Sequence, residues 1–354
     1  MVAWTWLIPA LALALLAGGF AVGMGPLLVV VCGVVLIGAV IAAVHHAEVV
    51  AHRVGEPFGT LILAIAVTVI EASLILSVML AGGADAASLP RDTIYAAIMI
   101  ICNGVVGLCV LVGGLAHREQ SFRVEGASAG LAALIALSAL ALVLPVFTIT
   151  MPGPVYNTPQ LVFAAVTSAV LWAVYVFVQT VRHRNYFLAP PGAPEEAHAK
   201  PPTSVQAWAS LGLLVLSLVA VVGLAKLISP SIEQAIAKAG APKAVIGIVI
   251  AMLVLLPETW AAVRAAHANR LQTSMNLALG SALASIGLTI PVVAVASIVL
   301  GMPLVLGLDP KGLVMLALTF LLAAVTLATG RTHIMQGVVH LVVFAAFLFL
   351  AFVP

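Results

Sequence analysis

Apolar runs of about twenty residues follow one another along the whole chain, and no other feature limits its folding as tightly. They fall at 4–22, 25–44, 59–82, 93–115, 128–149, 160–181, 205–227, 243–265, 275–299, 311–328 and 334–353, eleven in all. At 1.5 Å of rise per residue, such a run crosses the ~30 Å hydrocarbon core of a bilayer as a helix. The runs lack the period-two alternation of strands, so a barrel is not expected. A hydrophobic content of 64% against 7% charged residues excludes a water-soluble globule. The expected fold is an all-α polytopic membrane protein of about eleven transmembrane helices, set in the lipid bilayer with no soluble domain appended.

The longest polar connection, "RHRNYFLAPPGAPEEAHAKPPTS" at 182–204, is rich in Pro and charge and reads as a solvated cytoplasmic linker between two halves. The first span has no basic residue ahead of it, unlike a cleaved signal peptide, and is kept as a true helix. With an odd number of spans, the loops on the N-terminal side hold nine Lys or Arg: Arg53, Arg118, Arg123, Arg182, Arg184, Lys200, Arg264, Arg270 and Arg331. The other side holds five: Arg91, Lys226, Lys238, Lys243 and Lys311. The positive-inside rule then puts the N-terminus in the cytoplasm and the C-terminus outside. Cys32, Cys102 and Cys109 lie within spans at no metal-ligand spacing and read as packing residues. No basic stripe interleaved with aromatics points to nucleic acid, and oligomeric state has no signature in the sequence.

Ten of the twelve acids fall in or beside loops. The exceptions are Glu71, in "GTLILAIAVTVIEASLILSVMLAGG" (59–83), and Glu258, in "VIGIVIAMLVLLPETWAAV" (245–263). A carboxylate at the bilayer centre costs roughly 2.5–3.5 kcal/mol on insertion scales, and much more if it stays ionised in hydrocarbon. No Lys or Arg sits at comparable depth, so the neutralising partner is a bound proton, a bound metal cation, or each in turn. Two such carboxylates are the minimum apparatus of a cation/proton exchanger. The bland alternative makes each a protonated, hydrogen-bonded packing residue.

Spans three and eight carry these acids and cross the membrane in opposite directions, the pattern of inverted-topology repeats. The expected organisation is an extra first helix at 1–24, a five-helix repeat at 25–181, the linker at 182–204 and a second five-helix repeat at 205–354. Thr68 shares a helical face with Glu71 and offers an oxygen. Pro257 precedes Glu258 and removes a backbone donor, which frees a carbonyl one turn back. The next spans bring Asn103, in "MIICNGVVGL", and Asn276, Ser281 and Ser285, in "SMNLALGSALASIGLTIPVV", into apolar context. Asn103 to Gly107 and Ser281 to Ser285 share one four-residue spacing and are paired across the repeat. Gly104, Gly107, Gly280 and Ser281 equally suit close helix packing. Oxygen donors favour Ca²⁺, Na⁺ or K⁺ over soft transition metals. Two carboxylates balance one divalent ion or two protons, so Ca²⁺ is the charge-matched cargo, held by Glu71 and Glu258; a monovalent ion exchanged for protons is the alternative.

The stretches "RVGEPFGTLILAIAVTVIEASLIL" (53–76), "RDTIYAAIMI" (91–100), "PETWAAVRAAHANRLQTSMNLALGSALASIGLTIPVV" (257–293) and "TGRTHIMQGVVHLVVFAA" (329–346) resemble one family along essentially the whole chain. It is that of the bacterial ChaA-type calcium/proton and sodium-potassium/proton antiporters, within the calcium/cation antiporter superfamily. The resemblance implies an eleven-helix fold in the bacterial inner membrane, with Glu71 and Glu258 as alternating proton and cation carriers. It also implies that Asn103, Ser281 and Ser285 correspond roughly to neighbouring ligand positions. The chain departs from the broader superfamily in having Val67 and Thr68 where a Gly-Asn pair is usual, and Gly107 where an amide is expected.

Eight histidines, His45, His46, His52, His117, His183, His198, His267 and His333, fall on the cytoplasmic side of this topology. His45, Glu48 and His52 share a helical face, which is either solvated interface or a regulatory proton or metal site. His340, inside the last span, either hydrogen-bonds within the bundle or takes part in proton access. The segment "SPSIEQAIAKAGAPKAV" (229–245) is expected to form a short separate surface helix. There is no HExxH and no Ser-His pair within a span, so neither an enzyme nor a resident cofactor is expected, and an intramembrane hydrolase is the remote alternative.

Overall fold

The computed structural model describes residues 3–19, 25–55, 58–188, 202–238, 240, 242 and 244–353. The described residues form eleven helical runs. They are α1 (Trp4–Gly19), α2 (Pro26–Val54), α3 (Phe58–Gly82), α4 (89–117), α5 (124–146), α6 (158–182), α7 (Ser204–Lys238), α8 (Ala244–His267), α9 (Leu271–Leu300), α10 (Pro310–Ala328) and α11 (Ile334–Phe352). Among the described residues nine helices are long and apolar enough to cross a membrane, and Trp4–Gly19 and Ile65–Leu80 are shorter apolar helices. The chain is thus an all-α polytopic membrane protein. Most of the expected linker, residues 189–201, lies outside the described residues.

Two boundaries differ from expectation for one reason. Hydropathy marks where a helix leaves lipid, whereas its i→i−4 bonds continue as long as the backbone allows. Thus α2 runs on through "HHAEVVAHRV" to Val54, and α7 runs unbroken to Lys238 with Pro230 inside it. The separate surface helix expected after Ser229 is therefore the last part of α7.

The chain divides into two compact units, and each draws on both sequence halves. The first comprises residues 1–89 and 198–254, with α1, α2, α3, α7 and the start of α8. Here α2 packs along α7, while α1 and α3 each pack against both. Glycine lets the backbones close in: Gly38 faces Ile8, and Gly223 faces Leu16.

The second unit comprises residues 90–197 and 255–354. Its α4 is the most enclosed helix, with 78% of its apolar window buried, against 22% for those of α6 and α11. Long outward apolar faces on α6 and α11 suit lipid. Ile100–Val105 of α4 is π-helical, flanked by α-helical Leu89–Met99 and Val106–His117. After α4, β1 (Glu119–Ser121) pairs antiparallel with β2 (Arg331–His333), which leads into α11. The buried Gln120 side chain lies on Gly113 and donates to Ala266 O at 2.8 Å and Asn269 Oδ1 at 3.0 Å. Gln272 Oε1 accepts from the Arg123 N–H at 2.6 Å, and Asn276 Nδ2 donates to Phe187 O at 2.6 Å. One end of this unit thereby gathers the segments carrying Arg118, Arg123, Arg182, Arg184, Arg264, Arg270 and Arg331. At the opposite end, Arg91 pairs with Asp92 at 2.7 Å and reaches Gly307 O at 3.2 Å, and Lys311 donates to Leu350 O at 3.0 Å.

Candidate functional site

Glu71 belongs to the first unit and Glu258 to the second. Thirteen residues of apolar helix precede Glu71 in α3, and its flanks Ile70 and Ala72 are buried. Glu71 itself is 2% exposed. One turn before it, Thr68 is buried, and among the described residues its Oγ1 has no hydrogen-bond partner. A Thr within a helix ordinarily donates to the carbonyl four residues back, as Thr167 does to Phe163 O at 2.6 Å. Leaving a buried hydroxyl unsatisfied costs about 1–3 kcal/mol, and this one lies one helical turn from Glu71. Position 67 is buried Val, so Thr68 alone replaces the superfamily's usual pair.

Glu258 follows Pro257 within α8, is half-buried and has a buried Oε2. Pro257 has no N–H to give to Leu253 O, which leaves that carbonyl without its helical partner. Thr259 donates to Leu255 O at 2.7 Å. On α9, Ser281 is half-buried and Ser285 is 3% exposed. Thr289 continues the same stripe, fully buried, with no hydrogen-bond partner for Oγ1 among the described residues. Its signal in the sequence is the four-residue step onward from Ser285.

The remaining candidates are engaged elsewhere in the second unit. Asn103 is fully buried in the π-helical turn, with Nδ2 donating to Thr319 Oγ1 at 2.8 Å and Oδ1 3.2 Å from His340 Nδ1. His340, 1% exposed, has its Nε2 3.0 Å from Thr326 Oγ1, so it hydrogen-bonds within the bundle. Asn276 accepts from Gln272 Nε2 at 2.9 Å and holds the chain after α6 through Phe187. At Gly107 a Cβ would lie 2.9 Å from His340 Cβ and 3.2 Å from Gly337 O. The position where an amide is usual therefore has no room for one. A Cβ on Gly280 would meet nothing within 4 Å, so packing does not require glycine there.

In the first unit, Glu48 and His52 are exposed and His45 is half-buried, its ring 5.5 Å from Trp4. The buried member of this stretch is His46, whose Nε2 lies 2.8 Å from Thr5 O, a carbonyl that can only accept. His46 thus ties α2 to the first turn of α1. Among the described residues no group of three or more His, Cys, Asp and Glu is arranged to hold a metal, and the three cysteines are free and buried.

Comparison with known proteins bears on this geometry. The family model described as sodium/calcium exchanger protein matches residues 24–181 and 209–353. The chain is 48% identical over 356 residues to the protein y4hA of Sinorhizobium fredii (strain NBRC 101917 / NGR234), covering 99% of this chain and 96% of that one. It is 35% identical over 321 residues to the sodium-potassium/proton antiporter ChaA of Escherichia coli (strain K12), covering 90% and 86%. Among solved structures, native YfkE matches with TM-score 0.75 at 19% identity over 99% of this chain and 100% of that chain. A selenium-substituted form of the Ca²⁺/H⁺ antiporter protein YfkE matches with TM-score 0.71 at 16% identity, covering 99% of each. The eleven-helix architecture is that of these antiporter folds, and the chain belongs to the sodium/calcium exchanger protein family.

Proposed function

We propose that this protein is a secondary active antiporter of a bacterial inner membrane that exports Ca²⁺ in exchange for inward protons. Glu71 and Glu258 lose their protons when a cation binds and regain them on the return, and the site opens to each side of the membrane in turn. The observation that carries this reading is the burial of Glu71 in α3 beside a hydroxyl, Thr68 Oγ1, that has no hydrogen-bond partner among the described residues. An oxygen so placed adds to a carboxylate as a ligand for a hard cation. On α9 Thr289 Oγ1 is likewise buried without a hydrogen-bond partner among the described residues, and Ser281 and Ser285 place further hydroxyls on the same stripe. The two stretches matched by the family model, 24–181 and 209–353, support a first helix followed by two repeats. The gathering of seven arginines at one end of the second unit supports a cytoplasmic N-terminus and an external C-terminus.

The likeness to ChaA favours a second reading, Na⁺ or K⁺ exchanged for protons on the same scaffold. Everted vesicles energised by respiration and loaded with a pH-sensitive dye separate the two when each chloride salt is added in turn. Dequenching by CaCl₂ at lower concentration than by NaCl or KCl is the expected result. Dequenching by NaCl or KCl alone establishes the second reading, and cation flux without proton movement contradicts both.

A further inference from the structure

The proposed exchange does not use the buried cluster around His340, and one arrangement of protons on a neutral ring satisfies its hydrogen bonds. In it Thr319 donates to Met315 O at 2.8 Å and its oxygen accepts from Asn103 Nδ2. Asn103 Oδ1, 3.2 Å from His340 Nδ1, accepts the hydrogen that Nδ1 carries in this arrangement. Neutral imidazole leaves Nε2 bare to accept from Thr326. Each polar side-chain group of the neutral cluster is satisfied. A second proton would add a charge, and among the described residues no acidic side chain hydrogen-bonds the ring to oppose it. On α11 His340 is the only titratable group; α10 brings Lys311 at its start, and β2 brings Arg331 and His333. The α4 run holds Arg91, Asp92 and Tyr95 at its beginning, Cys102 and Cys109 along its length and His117 at its end.

The cluster sits on a backbone irregularity. A π-helical turn admits an extra residue and recurs at functional positions. Relaxing it to regular α-helix would rotate the remainder of α4 by roughly 100°. That rotation would carry Gly107 and Leu111 away from α11, where a Cβ on Gly337 would lie 2.6 Å from Leu111 N. The turn is in contact with α11 and also with α9, the helix of Ser281, Ser285 and Thr289.

We propose that His340 is a positioning residue of the exchange cycle: as a neutral imidazole of fixed tautomer it holds Asn103, and through Asn103 the π-helical turn against which α9 is set. The inference deepens the antiport reading and rests on it for its flux readout. In His340→Asn the side-chain amide nitrogen takes the place of Nδ1–H, whereas in His340→Gln the amide lies one bond further out, toward Thr326. His340→Asn is expected to keep proton-coupled cation flux within twofold of wild type with a superimposable pH profile. His340→Gln is expected to lose about tenfold, Asn103→Leu to lose as much, and the double variant no more than either. Thr326→Val, which leaves the Asn103 link intact, is expected to stay near wild type. Equal, wild-type flux from the Asn and Gln variants overturns the proposal. So does a displaced pH profile in His340→Asn, which would make His340 a proton carrier. If His340→Gln fails to insert, wild-type flux from Asn103→Leu overturns it alone. A readout independent of transport separates this failure from failure of the antiport reading. Histidine ¹⁵N spectra of the wild type, assigned by difference against His340→Asn, should show a neutral Nδ1–H ring unchanged between about pH 6 and 8. An Nε2–H ring, or titration in that window, overturns it.

Discussion

Glu71, Thr68, Glu258 and Thr289 differ in what each can give to a cation. The carboxylates would supply charge, and the two hydroxyls, without hydrogen-bond partners among the described residues, would supply neutral oxygens. Glu71→Gln and Glu258→Gln, each close in shape and without charge, should bring proton-coupled flux in everted vesicles down to that of empty vesicles while insertion is unchanged. Thr68→Val and Thr289→Val should act more mildly. A neutral ligand worth about 1–2 kcal/mol raises the half-saturating cation concentration roughly tenfold on removal. Because each Val also removes an unsatisfied buried hydroxyl, thermal stability in detergent should hold or rise. A fall in stability with unchanged half-saturation would assign these residues to packing. The two acids are legible in sequence because a carboxylate in a twenty-residue apolar run has few ways to be tolerated. Thr289 is not, because a helical Thr ordinarily bonds its own backbone and only coordinates reveal that this one does not. Likewise nothing in "HHAEVV" distinguishes His46, buried against Thr5, from the half-buried His45 beside it.

Helices show their existence in the sequence and conceal their irregularities. Nearly every expected span has its helix, since the hydropathy of the chain and the thickness of lipid impose one length. The π-helical turn at Ile100–Val105, in contact with α11 and α9, leaves no such trace. The contact of α4 with α11 is glycine against backbone at Gly107 and Gly337, and at Gly104 it is glycine against the Phe344 ring. Gly337→Leu should therefore push the two helices apart and lower stability by about 1–3 kcal/mol, the range for overpacking a close interior. Gly280→Ala, with open space around the added methyl, should leave it unchanged. Melting of the purified variants in one detergent measures both, and equal effects would contradict the packing described for α4 and α11.

The compact units of the whole molecule are not its sequence halves. Helices associate by the faces they can bury, and α7 packs with α1, α2 and α3 although the intervening chain forms another unit. Periodicity along the chain is blind to that choice, whereas it does carry the topology, since Lys and Arg are counted by loop. Exposed Ser121, next to the arginine-rich end, and Ile149, 96% exposed, test the topology by thiol labelling. With Cys32, Cys102 and Cys109 replaced, Ile149→Cys should react with an impermeant reagent in intact cells and Ser121→Cys only in everted vesicles. Reversal of that pattern would invert the molecule in the membrane. The central claim is that one pair of carboxylates holds either the cation or the protons, and proton release on binding tests it most directly. Purified protein in weakly buffered detergent at neutral pH should release protons when CaCl₂ is added, saturating with cation occupancy, and Glu71→Gln and Glu258→Gln should each abolish the release. Ca²⁺ binding without proton release, or undiminished release from either variant, would contradict it.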